Sequence, residues 1–121
     1  MSVVWKVKKW EELKKEELYE ILRLRSEIFI VEQECPYQDL DNKDIFSQHL
    51  FGKINNEIVC YTRVFLNEEP SIIGRLVVKK RFRNKGIGRE IMRRSINIIS
   101  KEKVVFISAQ SYFCLLYTSD A

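Results

Sequence analysis

The sequence predicts one α/β domain, a mixed β-sheet with helices on both of its faces. Three observations support this prediction. Hydrophobic periodicity changes along the chain in the order β-α-β-β-β-α-β. This mixed order ends in a strand–helix–strand unit, which is typical of an α/β sandwich. The chain has 121 residues, enough for one domain with a buried core.

The first part of the chain predicts an edge strand, a long helix and a loop. Residues 3–7 alternate between apolar and polar side chains, as a half-buried strand does. Residues 16–34 begin with acids and carry apolar side chains at helical spacing. Those apolar positions are Leu18, Ile21, Leu22, Ile28 and Phe29. Residues 35–44 are rich in turn formers and predict a loop.

The second part predicts a hairpin, a buried strand, a helix and a last strand. The pair Asn55–Asn56 lies between two strand-like segments, 49–54 and 57–66, and predicts a hairpin turn. The run 71–78 predicts a buried strand. The elements that follow are an amphipathic helix over 88–100, with Ile91, Met92, Ile96 and Ile99 on its apolar side, and a buried strand over 103–109.

The composition argues against several classes of protein. Hydrophobic residues make up 45% and charged residues 31%, as in an ordinary globular protein. No apolar run approaches the ~18 residues of a membrane span, and the charged N-terminus does not resemble a signal peptide. The three cysteines form no CxxC pair, and there is one histidine, so no metal is expected. We therefore expect a cytoplasmic protein with reduced thiols.

Charge is concentrated in two segments of opposite sign. Residues 79–94 contain eight Lys and Arg side chains and one Glu, a local net charge of +7 in a chain of net charge +4. Residues 27–44 contain six acids and one Lys, a local net charge of −5. The basic segment suits a compact polyanion and the acidic one a cation, although either could be solvated surface. A nucleic-acid or phosphoprotein partner is less expected, because a protein that binds nucleic acid would spread its positive charge along a face.

The basic segment contains a candidate pyrophosphate-binding turn, "RNKGIG", between the buried strand and the second helix. A helix N-terminus offers unpaired N–H groups. Gly86 and Gly88 let the backbone approach a phosphate, and Arg83, Lys85 and Arg89 add charge-assisted contacts. The turn matches neither GxxxxGK[ST] nor GxGxxG. The other interpretation is a helix-capping turn with solvated lysines.

"RNKGIG" also resembles the Q/R-x-x-G-x-G/A signature of the GNAT family of acyl-CoA-dependent N-acetyltransferases. The segments "LRLRSEIFIVEQECPYQDLDNKDIFSQHL", "IGRLVV" and "ISAQS" resemble the ElaA-like branch of that family, and the resemblance covers nearly all of residues 13–113. It implies a GNAT-like mixed β-sheet that lacks its last helix and strands. It also implies transfer of an acetyl group from acetyl-CoA to a small amine or protein amine, by direct attack in a ternary complex. A non-catalytic acyl-CoA-binding module is the alternative.

The resemblance implies roles for individual residues. Those expected to bind coenzyme A are Leu76, Val77, Val78, Arg83, Asn84, Lys85, Gly86, Ile87, Gly88 and Arg89. Because residues 72–79 carry no carboxylate, a general base is expected on the acidic segment or beside it. The candidates are Glu32, Glu34, Asp39, Asp41, Asp44 and His49, with Glu32 and His49 preferred. The residues expected to bind the acceptor are Gln33, Tyr37, Asp39 and Asp41.

The last eight residues, "CLLYTSDA", lack the pattern of the closing helix that a GNAT fold requires. They match one reading frame of a transposon sequencing adapter. We therefore expect residues 1–113 to form a partial GNAT domain and residues 114–121 to be a non-native tail. On that view Tyr117 has no catalytic role. We also expect the truncated chain to fold poorly or associate, because its last strand is an open edge, and to have little activity.

Overall fold

The structure is a computed structural model that describes residues 2–68 and 70–99 and the backbone of residues 105–107. Its strands are β1 Val4–Lys9, β2 Gln48–Ile54, β3 Glu57–Phe65, β4 Ser71–Val78 and β5 Val105–Ile107. Its helices are α1 Lys15–Arg25, which continues into a π-helical segment Ser26–Glu32, and α2 Ile87–Ile98. The element order is the predicted one. The proposed domain end at residue 113 and the tail 114–121 lie outside the described residues.

The strands form one mixed sheet in the order β1-β2-β3-β4-β5. The first four strands are antiparallel, and β5 pairs parallel to β4 over Ser71–Ile73. Strand β1 lies at an edge of this sheet, as predicted. The turn Asn55–Asn56 joins β2 to β3 with φ values of 50° and 67°. Positive φ at both central residues defines the hairpin turn that matches strand twist, and asparagine tolerates it better than most residues.

The two helices cover opposite faces of the sheet. Ile21 and Leu24 of α1 pack with Phe51 of β2 and Tyr61 of β3 on one face. On the other face, Ile91 of α2 belongs to a second cluster with strand residues of β2 and β3. Each fully buried side chain of this size contributes roughly 1.5–3 kcal/mol. The prediction of helices on both faces is confirmed.

The first helix is fastened to the edge strand by a buried carboxylate. Glu17 accepts hydrogen bonds from Lys8 Nζ of β1 and from the backbone N–H of Lys14, each at 2.9 Å. The second of these bonds satisfies one of the N–H groups that a helix start leaves unpaired. Burial opposes ionisation of Glu17, but the bonds from Lys8 and Lys14 outweigh it, and the pKa of Glu17 is lowered.

Gly52 lets β1 and β3 pack closely against β2. A Cβ at this position would lie 2.7 Å from Val3 Cγ1, 2.8 Å from Cys60 Sγ and 3.1 Å from the Trp5 ring. Cys60 is a free, buried thiol, and burial raises its pKa to about 12, which fits its interpretation as a packing residue. Cys35 is disulfide-bonded, which differs from the reduced thiol expected at this position.

Within the part of the chain that the structure describes, no helix has the length and apolarity of a membrane span.

Candidate functional site

An open cleft of about 580 Å³ lies between the end of the π-helical segment, the end of β4 and the start of α2. Its lining residues among those described are Ile28, Glu32, Gln33, Glu34, Leu76, Val77, Val78, Arg83, Asn84 and Gly88. The fold thus brings the predicted coenzyme A segment and two of the predicted acceptor-side residues, Glu32 and Gln33, to one place.

The turn before α2 has the backbone that the sequence pattern suggested. Gly86 caps the helix with φ 83°, a left-handed conformation, and its carbonyl accepts the first helical bond from Glu90 N–H at 3.1 Å. A Cβ at Gly86 would meet no atom within 4 Å, and one at Gly88 would lie 3.7 Å from Val78 Cγ2. The space beside Gly86 is therefore open, at a helix N-terminus where an anion is favoured.

The basic residues of this turn lie on two sides of it. Arg83 and Asn84 line the cleft. Lys85, Gly86 and Ile87 line a separate depression beside Trp5. The structure shows Arg89 on the first turn of α2 without placing it in either cavity.

Arg83 joins the turn to the acceptor side of the cleft. Its Nε donates to the carbonyl of Val78 at 2.9 Å, and its two terminal nitrogens contact the carboxylate of Glu32 at 2.5 and 3.0 Å. Both side chains are one-third exposed, so this ion pair is only partly shielded from water. The predicted catalytic residue Glu32 is therefore in contact with a predicted phosphate-binding residue.

The amide of Gln33 lines the same cleft and has an unpaired acceptor. Its Oε1 is buried and meets no hydrogen-bond donor among the described residues. A buried polar atom left unpaired is costly, so this oxygen is suited to a ligand N–H. Glu34 also lines the cleft, has φ 52°, and makes no ion pair with any described residue.

The acidic loop is held by a buried ring of alternating charges, which we call the Arg/Asp ring. Its members are Arg25, Arg63, Arg75, Asp39, Asp41 and Asp44. Each aspartate bridges two arginines and each arginine two aspartates, at 2.5–3.5 Å. The ring is neutral as a whole. From the sequence, these three aspartates were expected to attract a cationic acceptor. In the structure they are paired with arginines of the same chain instead.

The electrostatics of the ring follow from these pairs. The hydrogen bond from Arg63 is the main reason why the pKa of Asp41 lies far below its usual value. For Asp44, burial opposes ionisation, but Arg25 and Arg63 outweigh it and the pKa is again lowered. Sequence reasoning missed the ring, because Arg63 and Arg75 occur within apolar strand patterns. Their charge at those positions was the signal that could have found it, since buried charges require partners.

The predicted acceptor residue Tyr37 lies at the edge of the ring. The guanidinium carbon of Arg75 is 5.6 Å from the centre of its ring, a distance that allows a cation–π contact. Burial raises the pKa of Tyr37 to about 12, so its hydroxyl is protonated at neutral pH.

His49 lies on β2, is 1% exposed and does not line the cleft. Its Nε2 is 2.9 Å from the carbonyl oxygen of Asp44, and its Nδ1 is 2.6 Å from the hydroxyl of Tyr61. A carbonyl can only accept, so Nε2 carries the proton and Nδ1 accepts from Tyr61. Burial lowers the pKa of His49. The structure does not bring this preferred base candidate to the other site residues.

Among the described residues, no group of His, Cys, Asp and Glu side chains has the geometry of a metal site.

Comparisons with known proteins identify the family to which the chain belongs. The profile of the acetyltransferase (GNAT) family matches residues 11–112. Protein ElaA of Escherichia coli K12 is 33% identical over 97% of this chain and 82% of its own length. A UPF0039 protein of Synechocystis is 37% identical over 97% of this chain and 80% of its own length.

Two solved structures show the same fold. The crystal structure of Escherichia coli ElaA has a TM-score of 0.85 at 32% identity, covering 99% of this chain and 86% of that one. An acyl-CoA N-acyltransferase from Pseudomonas aeruginosa has a TM-score of 0.82 at 32% identity, covering 96% and 85%. The chain belongs to the acetyltransferase (GNAT) family. The class of chemistry that this family defines is acyl transfer from a coenzyme A thioester.

Proposed function

We propose that this protein is an N-acetyltransferase that moves an acetyl group from acetyl-CoA to an amine by direct attack in a ternary complex. The observation that carries the proposal is the cleft itself. It joins the start of α2 at Gly88 to the end of β4 and to the unpaired Oε1 of Gln33 on the π-helical side.

The donor side of the cleft is proposed to bind coenzyme A. The start of α2 offers backbone N–H groups and the helix dipole to the pyrophosphate, and Arg83 adds a cationic side chain from within the cleft. Lys85 lines the neighbouring depression, and Lys85 and Arg89 are proposed to act from outside the cleft. The end of β4, Leu76–Val78, offers backbone groups to the pantetheine arm and to the thioester carbonyl. Preorganised donors aimed at developing negative charge are a large source of catalysis. Acetyl-CoA supplies the activated acyl group.

The acceptor side is proposed to hold the amine and remove its proton. Gln33 Oε1 accepts a hydrogen bond from an N–H of the substrate. Tyr37 is not among the residues that line the cleft, and we propose that it packs against Arg75 without touching the amine. Glu32 is the proposed general base, because it is a carboxylate in the cleft beside the donor turn. Glu34 is the second candidate, because it lines the same cleft without an ion partner among the described residues. We propose that Asp39, Asp41 and His49 support this side from beneath and do not touch the amine.

A pair of variants at Gly88 tests the donor site. Leucine and alanine are both good helix formers, so Gly88→Leu and Gly88→Ala should preserve α2. The leucine side chain would enter the cleft beside Val78, whereas the methyl group of alanine makes only ordinary contact. We expect Gly88→Leu to weaken coenzyme A binding, measured by isothermal titration calorimetry, by roughly 100-fold or more as several phosphate hydrogen bonds are lost.

Gly88→Ala should stay within about threefold of the unmodified chain, a difference smaller than one weak contact. Equal affinities for the leucine and alanine variants would show that coenzyme A does not approach the helix at Gly88. The donor assignment would then be wrong.

The alternative function is a module that binds acyl-CoA without catalysis. It predicts the same titration results and no turnover with any amine, so the two proposals separate in an assay of thiol release from acetyl-CoA with a panel of amines. The cytoplasmic location stays a prediction.

A further inference from the structure

The strand that lines the donor side of the cleft is irregular at Arg75. Tyr61 of β3 faces Val77 of β4, but Arg63 faces Gly74. Arg75 and Leu76 are therefore both opposite Thr62, which defines a β-bulge. Arg75 has φ 54°, a left-handed conformation that is uncommon for a long side chain and has to be held by its surroundings.

This bulge decides which residues face the cleft. Side chains of a regular strand alternate with a period of two, so Ile73 and Val77 would share a face. Ile73 packs with Ile99 and Met92 on the α2 face, whereas Val77 packs with α1 on the opposite face. The bulge thus reverses the alternation just before Leu76–Val78, and a strand without it would turn these residues the other way.

Buried polar contacts of Arg75 hold the bulge in place. Its Nε donates to Asp39 Oδ1 at 2.8 Å and its Nη2 to the backbone carbonyl of Asp39 at 2.9 Å. The two side chains are 5% and 7% exposed. Across the sheet, Thr62 Oγ1 donates to the carbonyl of Gly74 at 2.8 Å. The bulge is therefore anchored to the acidic loop through Arg75 and to β3 through Gly74.

We propose that Arg75 and Asp39 are positioning residues for acyl transfer: their buried pair ties the acidic loop to the bulge that aims Leu76–Val78 into the cleft. The effect on catalysis rests on the proposed function, whereas the anchoring of residues 76–78 rests on the observed bulge alone. It gives the Arg/Asp ring a role in geometry. Asp39 reaches the donor strand through Arg75 and does not need to contact the amine.

The test compares two substitutions that each remove a buried carboxylate charge. Asp39→Asn removes the negative charge that Arg75 and Arg25 both contact, with almost no change in shape. Glu17→Gln is the matched control, because Glu17 is a similarly buried carboxylate with a cationic partner, Lys8, and lies outside the cleft. Each variant is measured for kcat, for KM of acetyl-CoA, for coenzyme A affinity, and for the backbone amide resonances of residues 76–78.

We expect Asp39→Asn to lower kcat roughly 100-fold, since small misplacements of reacting groups have effects of this size. Coenzyme A affinity should fall much less than kcat, because the pyrophosphate turn is intact. The amide resonances of residues 76–78 should move. Glu17→Gln should lower stability while kcat of the folded protein and those resonances are retained. A role in stability alone predicts the same pattern for both variants, which would overturn the proposal.

Arg75→Lys covers the case in which Asp39→Asn does not fold. Lysine keeps the charge but lacks the planar fork that bonds Asp39 twice, so kcat should fall and the same resonances should move. If the unmodified chain neither binds coenzyme A nor turns over, the proposed function fails. The resonances then decide the positioning role by themselves, and unmoved signals for residues 76–78 in both variants would refute it.

Discussion

At the scale of single residues, Glu32 and Glu34 are the two candidates for the general base. Both are in the cleft, and they differ in their partners, since Glu32 contacts Arg83. A base must be ionised to accept a proton, so its protonation produces an acid limb in the pH dependence of kcat. The two carboxylates can therefore be told apart by a pH profile even if both substitutions reduce activity.

We predict that Glu32→Gln lowers kcat by roughly 100-fold or more, the usual contribution of general-base catalysis, and abolishes the acid limb. Glutamine keeps the size of the side chain and removes the basic oxygen. Glu34→Gln should retain an acid limb whatever its effect on the rate. Loss of the limb in Glu34→Gln with its retention in Glu32→Gln would reverse the assignment.

The residues show how far sequence reasoning reached. The glycine turn and the strand Leu76–Val78 could be predicted because their pattern is local. The surroundings of His49 could not, because its burial depends on Tyr61, a neighbour across the hairpin. The pairing of Glu32 with Arg83 joins residues 51 positions apart, and such contacts leave no periodic signal in one sequence.

At the scale of elements, the strands were predictable to within a few residues, and the irregularities were not. Alternation and apolar runs located β1 to β4, and Asn55–Asn56 located the hairpin turn. Nothing in the pattern of residues 71–78 indicated that Arg75 interrupts the pleat. The predicted first helix likewise covers α1 and the π-helical segment without distinguishing them, since both segments carry apolar side chains at a similar spacing and bury them.

Close packing at Gly52 gives a prediction for the edge of the sheet. Gly52→Ala should lower the free energy of unfolding by about 1–3 kcal/mol, the usual effect of overpacking, because the new methyl group would overlap Cys60 Sγ and Val3. Urea denaturation measures the change. Val4→Ala is the control, because Val4 is exposed on β1 and should change stability by less than about 0.5 kcal/mol. Equal effects would mean that β1 adjusts without strain.

At the scale of the whole molecule, the Arg/Asp ring joins α1, the acidic loop, β3 and β4. Breaking one partner of a buried ion pair typically costs about 3–5 kcal/mol. Its six members come from four separate parts of the sequence. Because the three arginines lie outside residues 27–44, the local net charge of that segment does not reveal that its aspartates are neutralised.

The ring predicts loss of stability in acid. The pKa values of Asp41 and Asp44 are lowered in the folded chain, so below about pH 4, the usual pKa of aspartate, the unfolded state takes up protons first. The free energy of unfolding should therefore fall as the pH drops from about 4 towards 2. The lowered pKa of His49 acts in the same direction and begins near pH 6.5.

Thermal melts between pH 7 and pH 2.5 measure this dependence. Asp41→Asn should be less stable at pH 7 and should lose stability less steeply in acid, because one of the groups responsible is gone. A melting temperature that is constant from pH 6 to pH 3 would contradict the role given to the ring.

The π-helical segment has a consequence for how the chain tolerates changes in length. One residue inserted into an α-helix rotates everything beyond it by about 100°, because the helix has 3.6 residues per turn. Wider i→i+5 turns accommodate an extra residue locally. The contacts of α1 are therefore kept, and only the side chains after Arg25 are rotated around the helix axis. Deleting one residue from Ser26–Glu32 would let the segment return to ordinary helical bonding, and the carboxylate of Glu32 would swing out of the cleft.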